Sequence, residues 1–288
     1  MAPSKRRQSW RRIFDRIMKV LILLAVVIAI IPLILVVGEV VVQGLPAISL
    51  SFFTENPPSP LAGYGGVLNG IAGSALMVGM ATLIAVPLGV GAGIYFSEWP
   101  ESRLSFLSSF TNDVLAEFPT MVMGLFFFVL IVETTRTFSA VAGAAALAVI
   151  MLPIIARTTE ESLKIVPVTL REASMALGIP RWKTIFRIVI STGKSGLATG
   201  ILLGIARAAG ETAPLIVTAG YLGFPPRALF QPTASLPYII YFFGQAGYSN
   251  YSTVAWGAAL VLVAVMLILN LAVKLYIGRS FAGVRAEI

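Results

Sequence analysis

The chain has 288 residues and a formal net charge of +8, yet only 12% of its residues are charged and 57% are hydrophobic. A soluble domain carries about 25% charged residues, so this composition and a mean hydropathy of +0.90 exclude a soluble globule and indicate a polytopic membrane protein. The chain contains neither cysteine nor histidine, which excludes thiol chemistry, disulfides and imidazole ligands of zinc or haem. We expect no metal site and no catalytic residue.

Six apolar segments are long enough to cross a bilayer, which takes about 20 residues. They predict an all-α fold with six transmembrane helices, at roughly 19–42, 68–95, 109–132, 138–157, 196–221 and 253–277. Seven basic residues lie within 5–19 and seven more within 157–194, whereas the loops on the opposite side hold only Arg136 and Arg227. Because basic residues favour the cytoplasmic side, both termini are predicted to be cytoplasmic. Membrane topology explains the net charge, so no nucleic-acid partner is expected.

These spans predict four parts of the chain. A basic cytoplasmic tail (1–18) precedes the first transmembrane helix and its outer loop (19–67), a transmembrane core follows (68–277), and a cytoplasmic tail (278–288) ends the chain. The first apolar run is too long for a signal peptide and lacks a small-residue cleavage site, so we expect it to be retained as a helix.

The longest inner segment, 158–195, is amphipathic and charged, and Pro167 and the break at Gly178 divide it into short helices. Loops of this length without a function are uncommon, so we predict a docking surface. The segment ends in TGKS (192–195), the second half of a phosphate-binding P-loop. The first glycine of that motif is missing, since Ile188 stands in its place and no clear strand leads in. We interpret Lys194 as an interfacial lysine and expect no ATP site in this chain.

The fifth span carries three glycines at intervals of four residues: Gly196, Gly200 and Gly204. This spacing lets membrane helices approach closely. At 100° per residue, Arg207 and Glu211 fall within the same arc of about 80°. A charge in the middle of a span costs about 2.5–3.5 kcal/mol on the insertion scale, so both side chains are predicted to face protein or a pathway. Either they form a simple ion pair, or they belong to an anion pathway or gate.

Three further charges lie near the inner ends of spans. Arg157 ends the fourth span and is either an ordinary basic anchor or part of an inner vestibule. Asp113 and Glu117 lie one helical turn apart in the third span. Paired acids can act in catalysis, but no base, metal motif or nucleophile accompanies them. We therefore favour a gating or ion-pair role for both.

The segment REASMALGIPRWKTIFRIVI (171–190) resembles the EAA loop of ABC-importer permeases. Glu172, Ala173 and Ser174 are followed by three residues, then Gly178, then nine residues and Ile188. The Leu-Pro pair that usually closes the motif is replaced here by Ile-Ser at 190–191. The resemblance therefore predicts the docking element but not the turn that follows it.

Two more motifs narrow the resemblance. RTTEESL (157–163) and ARAAGETAPL (206–215) are similar to segments of the phosphate-specific permeases, and the form GETAPL resembles their A-type subunit. The similarity covers about 65–272, which is most of the chain.

The resemblance implies a type I ABC importer permease fold with six transmembrane helices, in the plasma membrane of a prokaryote. It implies that Arg157, Arg207 and Glu211 line the substrate pathway. It further implies that the 158–195 loop couples to an ATPase through these residues: Arg171, Glu172, Ala173, Ser174, Gly178, Trp182 and Ile188.

The resemblance also implies the partners. They are a C-type permease subunit that forms a heterodimer with this chain, a dimer of ATP-binding ATPase subunits that carry ATP and magnesium, and a phosphate-binding protein outside the cell. Membrane lipid would surround the assembly, and no cofactor would be bound by this chain.

An external energy source agrees with elementary electrostatics, because anion entry against 100 mV costs about 2.3 kcal/mol per charge. The alternatives are a permease for molybdate or sulfate, the C-type phosphate subunit, and a secondary carrier or channel that needs no ATPase. The carrier predicts transport by this chain alone and internal inverted repeats, which the sequence does not display. A membrane enzyme built on Asp113 and Glu117 is the remaining alternative.

Overall fold

The computed structural model describes residues 5–59, 63 and 65–285, and this part of the chain contains helices and no strands. In chain order the α-helices are α1 (Lys5–Gly44), α2 (Leu50–Thr54), α3 (Leu68–Glu98), α4 (Arg103–Glu117), α5 (Thr120–Phe127), α6 (Glu133–Thr135), α7 (Ala140–Lys164), α8 (Val168–Ala176), α9 (Arg181–Thr184), α10 (Ile190–Gly210), α11 (Ala213–Thr218), α12 (Leu236–Gln245) and α13 (Ser249–Arg285). A π-helical turn, Phe128–Val132, joins α5 to α6, and a second, Ile185–Val189, joins α9 to α10.

Five stretches of the described chain are long and apolar enough to cross a membrane: Phe14–Ala47, Leu68–Glu98, Ala140–Lys164, Arg181–Gly210 and Ser249–Ala272. A sixth crossing is formed if α4 and the α5–α6 segment are taken together, although the two parts are bent by 103°. With this bent pair counted as one span, the number agrees with the six spans predicted from hydropathy.

Two of the predicted spans are broken by proline. Phe118 adopts an extended conformation before Pro119 and divides the predicted span 109–132, because a residue that precedes proline is disfavoured in the α region. In the fifth span α10 ends at Gly210, and Glu211 is extended. Gly210 is four residues before Pro214, and a proline ring collides with the carbonyl at that position of a continuing helix.

Helices also extend beyond the predicted boundaries of the spans. The basic segment from Lys5 onward belongs to α1, and residues 278–285 belong to α13. The predicted docking loop 158–195 begins inside α7, which continues to Lys164, and it ends inside α10, which starts at Ile190. The loop proper is therefore the segment of short helices α8 and α9.

The core of the bundle is the contact between α3 and α7, and α10 packs into the same cluster. Met77 of α3 packs with Leu147, Met151 and Ile155 of α7, and all four side chains are fully buried. Gly93 allows the closest approach, since a Cβ there would lie 2.5 Å from the Ala156 carbonyl oxygen of α7. Small residues at such contacts let membrane helices pack tightly, so α3 and α7 form one unit.

The outer end of the bundle has its own apolar cluster, in which Phe52 of α2 packs against Ile239 of α12 and Val254 of α13. Ser235 caps α12 by accepting a hydrogen bond from the Tyr238 amide. The long loop before α12 is tied to α3 by Asn69, whose side chain donates to the Leu222 carbonyl at 2.7 Å. These contacts hold α2 and the segment before α12 against α3 and α13.

Candidate functional site

The bend between α4 and α5 opens a cavity of about 130 Å³ against α7 and α10. Most of the residues that line it are apolar: Leu115, Ala116, Phe118, Met123, Ile150, Pro153 and Ile154. Thr120 and one charged side chain, Arg207, complete the lining. Both proline-induced breaks contribute to this site. The break before Pro119 places Phe118 in its wall, and the break before Pro214 ends the helix that carries Arg207. We name it the Arg207 cavity.

Arg207 lies in the last turn of α10 and pairs with Glu211, the residue at which the helix stops. Its Nε is 3.1 Å from Glu211 Oε1, and the Arg207 side chain is 53% exposed whereas that of Glu211 is 13% exposed. The pair expected from the i,i+4 spacing is therefore formed. It uses one of the five N–H donors of the guanidinium, and the terminal nitrogens, Nη1 and Nη2, remain directed away from this bond.

One face of α7 connects the Arg207 cavity to the end of the helix. Ile150 and Ile154 line the cavity, and Arg157 and Glu161 follow at helical spacing on the same face. Arg157 therefore lies roughly 5 Å, one turn of helix, beyond Ile154. It thus lies on a stripe of the α7 surface that begins at the cavity, and Arg207 reaches the same cavity from α10.

Arg157 is surrounded by carboxylates, unlike Arg207. Its Nη1 lies 3.2 Å from Glu160 Oε2, and its Nε lies 3.1 Å from Glu161 Oε1. Asp113 of α4 also interacts with it electrostatically, and Glu160 is shared with Lys164 at 2.6 Å. Three acids against two bases make this end of the stripe negative. Asp113 and Glu117 are both exposed on α4, and the gating or ion-pair role expected for them stays a prediction.

The glycine stripe of α10 packs on α7. A Cβ at Gly200 would lie 2.7 Å from Thr158 Cβ, and one at Gly204 would lie 3.0 Å from the Ile155 side chain. Gly196 similarly lies against Ser162. This close approach brings Arg207 next to the α7 face that lines the cavity, so the glycines position the charge.

The helices α8 and α9 form the predicted docking loop, and its central turn is built by Gly178. This residue has φ +77°, and the amide of Gly178 donates to the Met175 carbonyl while that of Ile179 donates to the Ser174 carbonyl. This is the Schellman arrangement that ends a helix with a left-handed residue, for which glycine is favoured. The turn reverses the chain between the two helices.

The residues of the EAA-like motif divide between two faces of this loop. Glu172 and Ala173 are exposed, as are the large apolar side chains of Leu177 (81% exposed) and Trp182 (60% exposed). Ser174 is buried and shares a hydrogen bond of 2.8 Å with Thr184. Arg171 turns inward, and Ile188 is half-buried in the π-helical turn. The outer face is therefore apolar with charged neighbours.

Glu98 and Arg181 were missed in the sequence pattern. Glu98 is the last residue of α3 and is buried, and it pairs with Arg171 at 3.1 Å. Arg181 donates to the Glu98 carbonyl and lies over the ring of Trp99. A signal was available, because Glu98 is the one charged residue in the α3 sequence, but nothing local indicates its partners. Among the described residues no group of three or more acids, histidines or cysteines could hold a metal ion.

Residues 85–281 match the model of a family described as the binding-protein-dependent transport system inner membrane component. The chain belongs to this family. It is therefore a multi-pass membrane component of an ABC-type importer, and the all-α permease fold expected from the sequence is confirmed.

Individual relatives agree with this assignment. The chain is 40% identical over 281 residues to the phosphate transport system permease protein PstA of Yersinia pestis, covering 97% of this chain and 95% of the relative. It is 38% identical over 268 residues to the protein of that name from Haemophilus influenzae, covering 93% and 95%. The probable PstA of Methanocaldococcus jannaschii is 37% identical over 272 residues, covering 93% and 94%.

A solved structure shows the same fold. An inward-facing MetNI methionine ABC transporter superposes with a TM-score of 0.63 at 19% identity, covering 74% of this chain and 95% of the matched chain. At this identity the likeness concerns the fold alone.

Proposed function

We propose that this chain is the A-type permease subunit of an ATP-driven importer of inorganic phosphate. The relatives at about 40% identity carry phosphate transport in their names. The observation that carries the proposal is the Arg207 cavity, where one guanidinium is the single charged group among the described side chains that line the space. Charges inside the membrane are expensive and mark the paths of ions and substrates.

The chemistry of Arg207 suits a tetrahedral oxyanion. The two terminal nitrogens of a guanidinium present parallel N–H donors that match two oxygens of a phosphate. Glu211 holds the Nε side of Arg207 at 3.1 Å and so orients the free edge. A single arginine beside a carboxylate binds an anion weakly enough to release it, which a transport path requires.

Arg157 provides a second position for the anion, one helical turn further along α7. Its two carboxylate partners, Glu160 and Glu161, already satisfy much of its charge, and Asp113 adds a third negative group. An anion that reaches this position meets repulsion as well as attraction. We therefore assign Arg207 to binding within the membrane and Arg157 to passage toward the cytoplasm, with Glu211 as the partner that tunes Arg207.

The energy for uptake comes from a separate ATPase in this proposal. We assign its docking to the outer face of α8 and α9, where Met175, Leu177 and Trp182 are exposed apolar side chains. A short amphipathic helix that inserts such side chains into a groove is a recurrent mode of recognition. Lys183 and Arg187 flank this face and would complement acidic residues on the ATPase, which holds the ATP and magnesium.

The remaining partners follow from the same proposal. A C-type permease subunit forms the other half of the pathway, and an external phosphate-binding protein delivers the substrate. The span of α1 has none of its most apolar window buried within this chain, which leaves it for lipid and for the second permease. The basic segment of α1 lies in the cytoplasm, together with the C-terminus.

Competition during uptake tests the choice of substrate. The complete complex would be reconstituted in proteoliposomes with ATP inside and the binding protein outside, and uptake of labelled phosphate would be measured. We expect arsenate, which shares the shape and charge of phosphate, to compete, and sulfate and molybdate not to compete. Competition by sulfate or molybdate at similar concentrations would assign the chain to another oxyanion.

A further inference from the structure

The cytoplasmic end of α3 is held to the docking loop by a group of polar contacts that the proposed pathway does not use. The carboxylate of Glu98 accepts from Arg171 Nε at 3.1 Å, and the two side chains are only 4% and 16% exposed. These residues are 73 positions apart in the chain. The contact therefore joins two elements that sequence proximity does not hold together.

Arg171 also binds the end of α7. Its Nη1 donates to the Val166 carbonyl at 2.6 Å, and its Nη2 donates to the Leu163 carbonyl at 2.9 Å. Carbonyls at a helix C-terminus have no partner within the helix, and a basic side chain there also interacts favourably with the helix dipole. One guanidinium thus fixes α8 to the ends of both α3 and α7.

The second helix of the loop is bound to the same point. Arg181 Nη2 donates to the backbone carbonyl of Glu98 at 2.5 Å, and its guanidinium lies 4.6 Å from the centre of the Trp99 ring. Trp99 in turn stacks on Tyr95 of α3 at 5.6 Å. The buried hydroxyl pair of Ser174 and Thr184 links α8 to α9. We name this set of contacts the Glu98 clamp.

The clamp supplies a connection that the chain itself lacks. The docking loop is covalently continuous with α7 and with α10, whereas α3 meets it only by non-covalent contacts. These are the polar contacts of Glu98 and an apolar cluster in which Val90 and Ile94 pack near Val166 and Val189 at the two ends of the loop. We propose that Glu98 is a positioning residue for coupling, which makes α3 move with α8 and α9 when the ATPase displaces them. Because α3 packs closely on α7, such movement would reach the walls of the bundle as one unit.

The buried ion pair suits this role better than an apolar contact would. Removal of one partner leaves the other charge buried without compensation, which strongly disfavours the clamped arrangement. A paired carboxylate and guanidinium also fix distance and direction, whereas apolar surfaces can slide. The role in coupling rests on the proposed function, but the clamp as a structural link does not.

The first experiment measures coupling in the complete reconstituted complex, as phosphate transported per ATP hydrolysed. In Glu98→Ala we expect the ratio to fall by about tenfold or more, because a buried charge loses its partner, while ATP hydrolysis continues. Glu98→Gln keeps an acceptor for Arg171 without the charge, and we expect an intermediate ratio. The matched control is Glu101→Gln, an exposed carboxylate three residues further on, which should leave the ratio unchanged.

The second experiment tests the Glu98 clamp by a distance measurement that does not depend on transport. The chain has no cysteine, so spin labels can be attached at Arg103→Cys and Thr169→Cys, both exposed, in a complex whose other subunits lack reactive cysteines. We expect a narrow distribution of label distances with Glu98 present, a broad one in Glu98→Ala and an intermediate width in Glu98→Gln. A distribution that stays narrow overturns the clamp.

The outcomes separate the two proposals. If wild-type complexes fail to transport phosphate while the label distances behave as expected, the proposed function is wrong and the clamp stands. If transport and ATP hydrolysis fall together with the ratio unchanged, Glu98 has only a structural role and the coupling proposal is overturned. Where Glu98→Ala fails to assemble, Glu98→Gln decides by the same criteria.

Discussion

Replacement of Arg207 by glutamine perturbs the proposed pathway at the one charged residue that lines the Arg207 cavity. The structure gives the size of the expected effect. Arg207 Nε is bonded to Glu211, and this partly exposed pair is worth at most about 1 kcal/mol, so it competes little with a bound anion. The two terminal nitrogens, with four N–H groups, remain for phosphate.

A hydrogen bond to a charged group is worth about 1.5–3 kcal/mol. Glutamine retains one amide donor group but loses the charge and the paired geometry, so the loss amounts to roughly one such bond. We therefore expect uptake at sub-saturating phosphate to fall by about 10- to 150-fold. The change also leaves Glu211 without its partner, which adds repulsion of the anion.

The assay is initial uptake of labelled phosphate by the reconstituted complex, at equal amounts of assembled transporter. Lys194→Gln is the matched control, because it removes a basic residue that is exposed on the same helix and far from the cavity. It should transport like the wild type. Wild-type uptake by an assembled Arg207→Gln complex would show that Arg207 does not bind phosphate during transport.

Three further predictions concern packing, the docking turn and Arg157. Gly93→Ala should lower the free energy of unfolding by about 1–3 kcal/mol, because the added methyl group overpacks against α7. Gly91→Ala is the control: its Cβ meets nothing within 4 Å, so the change should stay within about 0.5 kcal/mol. Equal thermal unfolding midpoints of the two variants in detergent would contradict this. Gly178→Val should reduce co-purification of the ATPase, because a φ of +77° costs a β-branched residue about 1–2 kcal/mol. Gly178→Asn should not reduce it. Loss of the ATPase in both variants, or in neither, would contradict a requirement for the left-handed turn at residue 178. Arg157→Gln should reduce phosphate uptake less than Arg207→Gln, since two carboxylates already hold Arg157, and the opposite order would reverse the assigned roles.

Hydropathy and charge located the helices because these signals are local. The same sequence contained the cause of both breaks, since Pro119 restricts Phe118 and Pro214 forbids helix at Gly210. The helix ends at Gly210, whose carbonyl the ring of Pro214 would meet in a continuing helix, and Glu211 is extended. The 103° angle between α4 and α5 depends on packing against α7, which no local pattern encodes.

The candidate site shows the same division between local and distant information. The pairing of Arg207 with Glu211 follows from their spacing of four residues, although Glu211 lies just beyond the end of α10. The contact of the glycine stripe with a neighbouring helix likewise follows from a local pattern. The network around Arg157 includes Asp113 from another helix, and the Glu98 clamp joins residues 73 positions apart. Such contacts arise only when α3, α4 and α7 have packed.

ATP-dependent uptake of labelled phosphate is the decisive test of whether this chain is a permease subunit of a phosphate importer. Proteoliposomes would contain this chain with a C-type permease and the ATPase, with the binding protein added, and parallel samples would omit one component each or contain this chain alone. We expect phosphate uptake that requires ATP and every subunit. Uptake by this chain alone, without ATP, would contradict it and indicate a carrier.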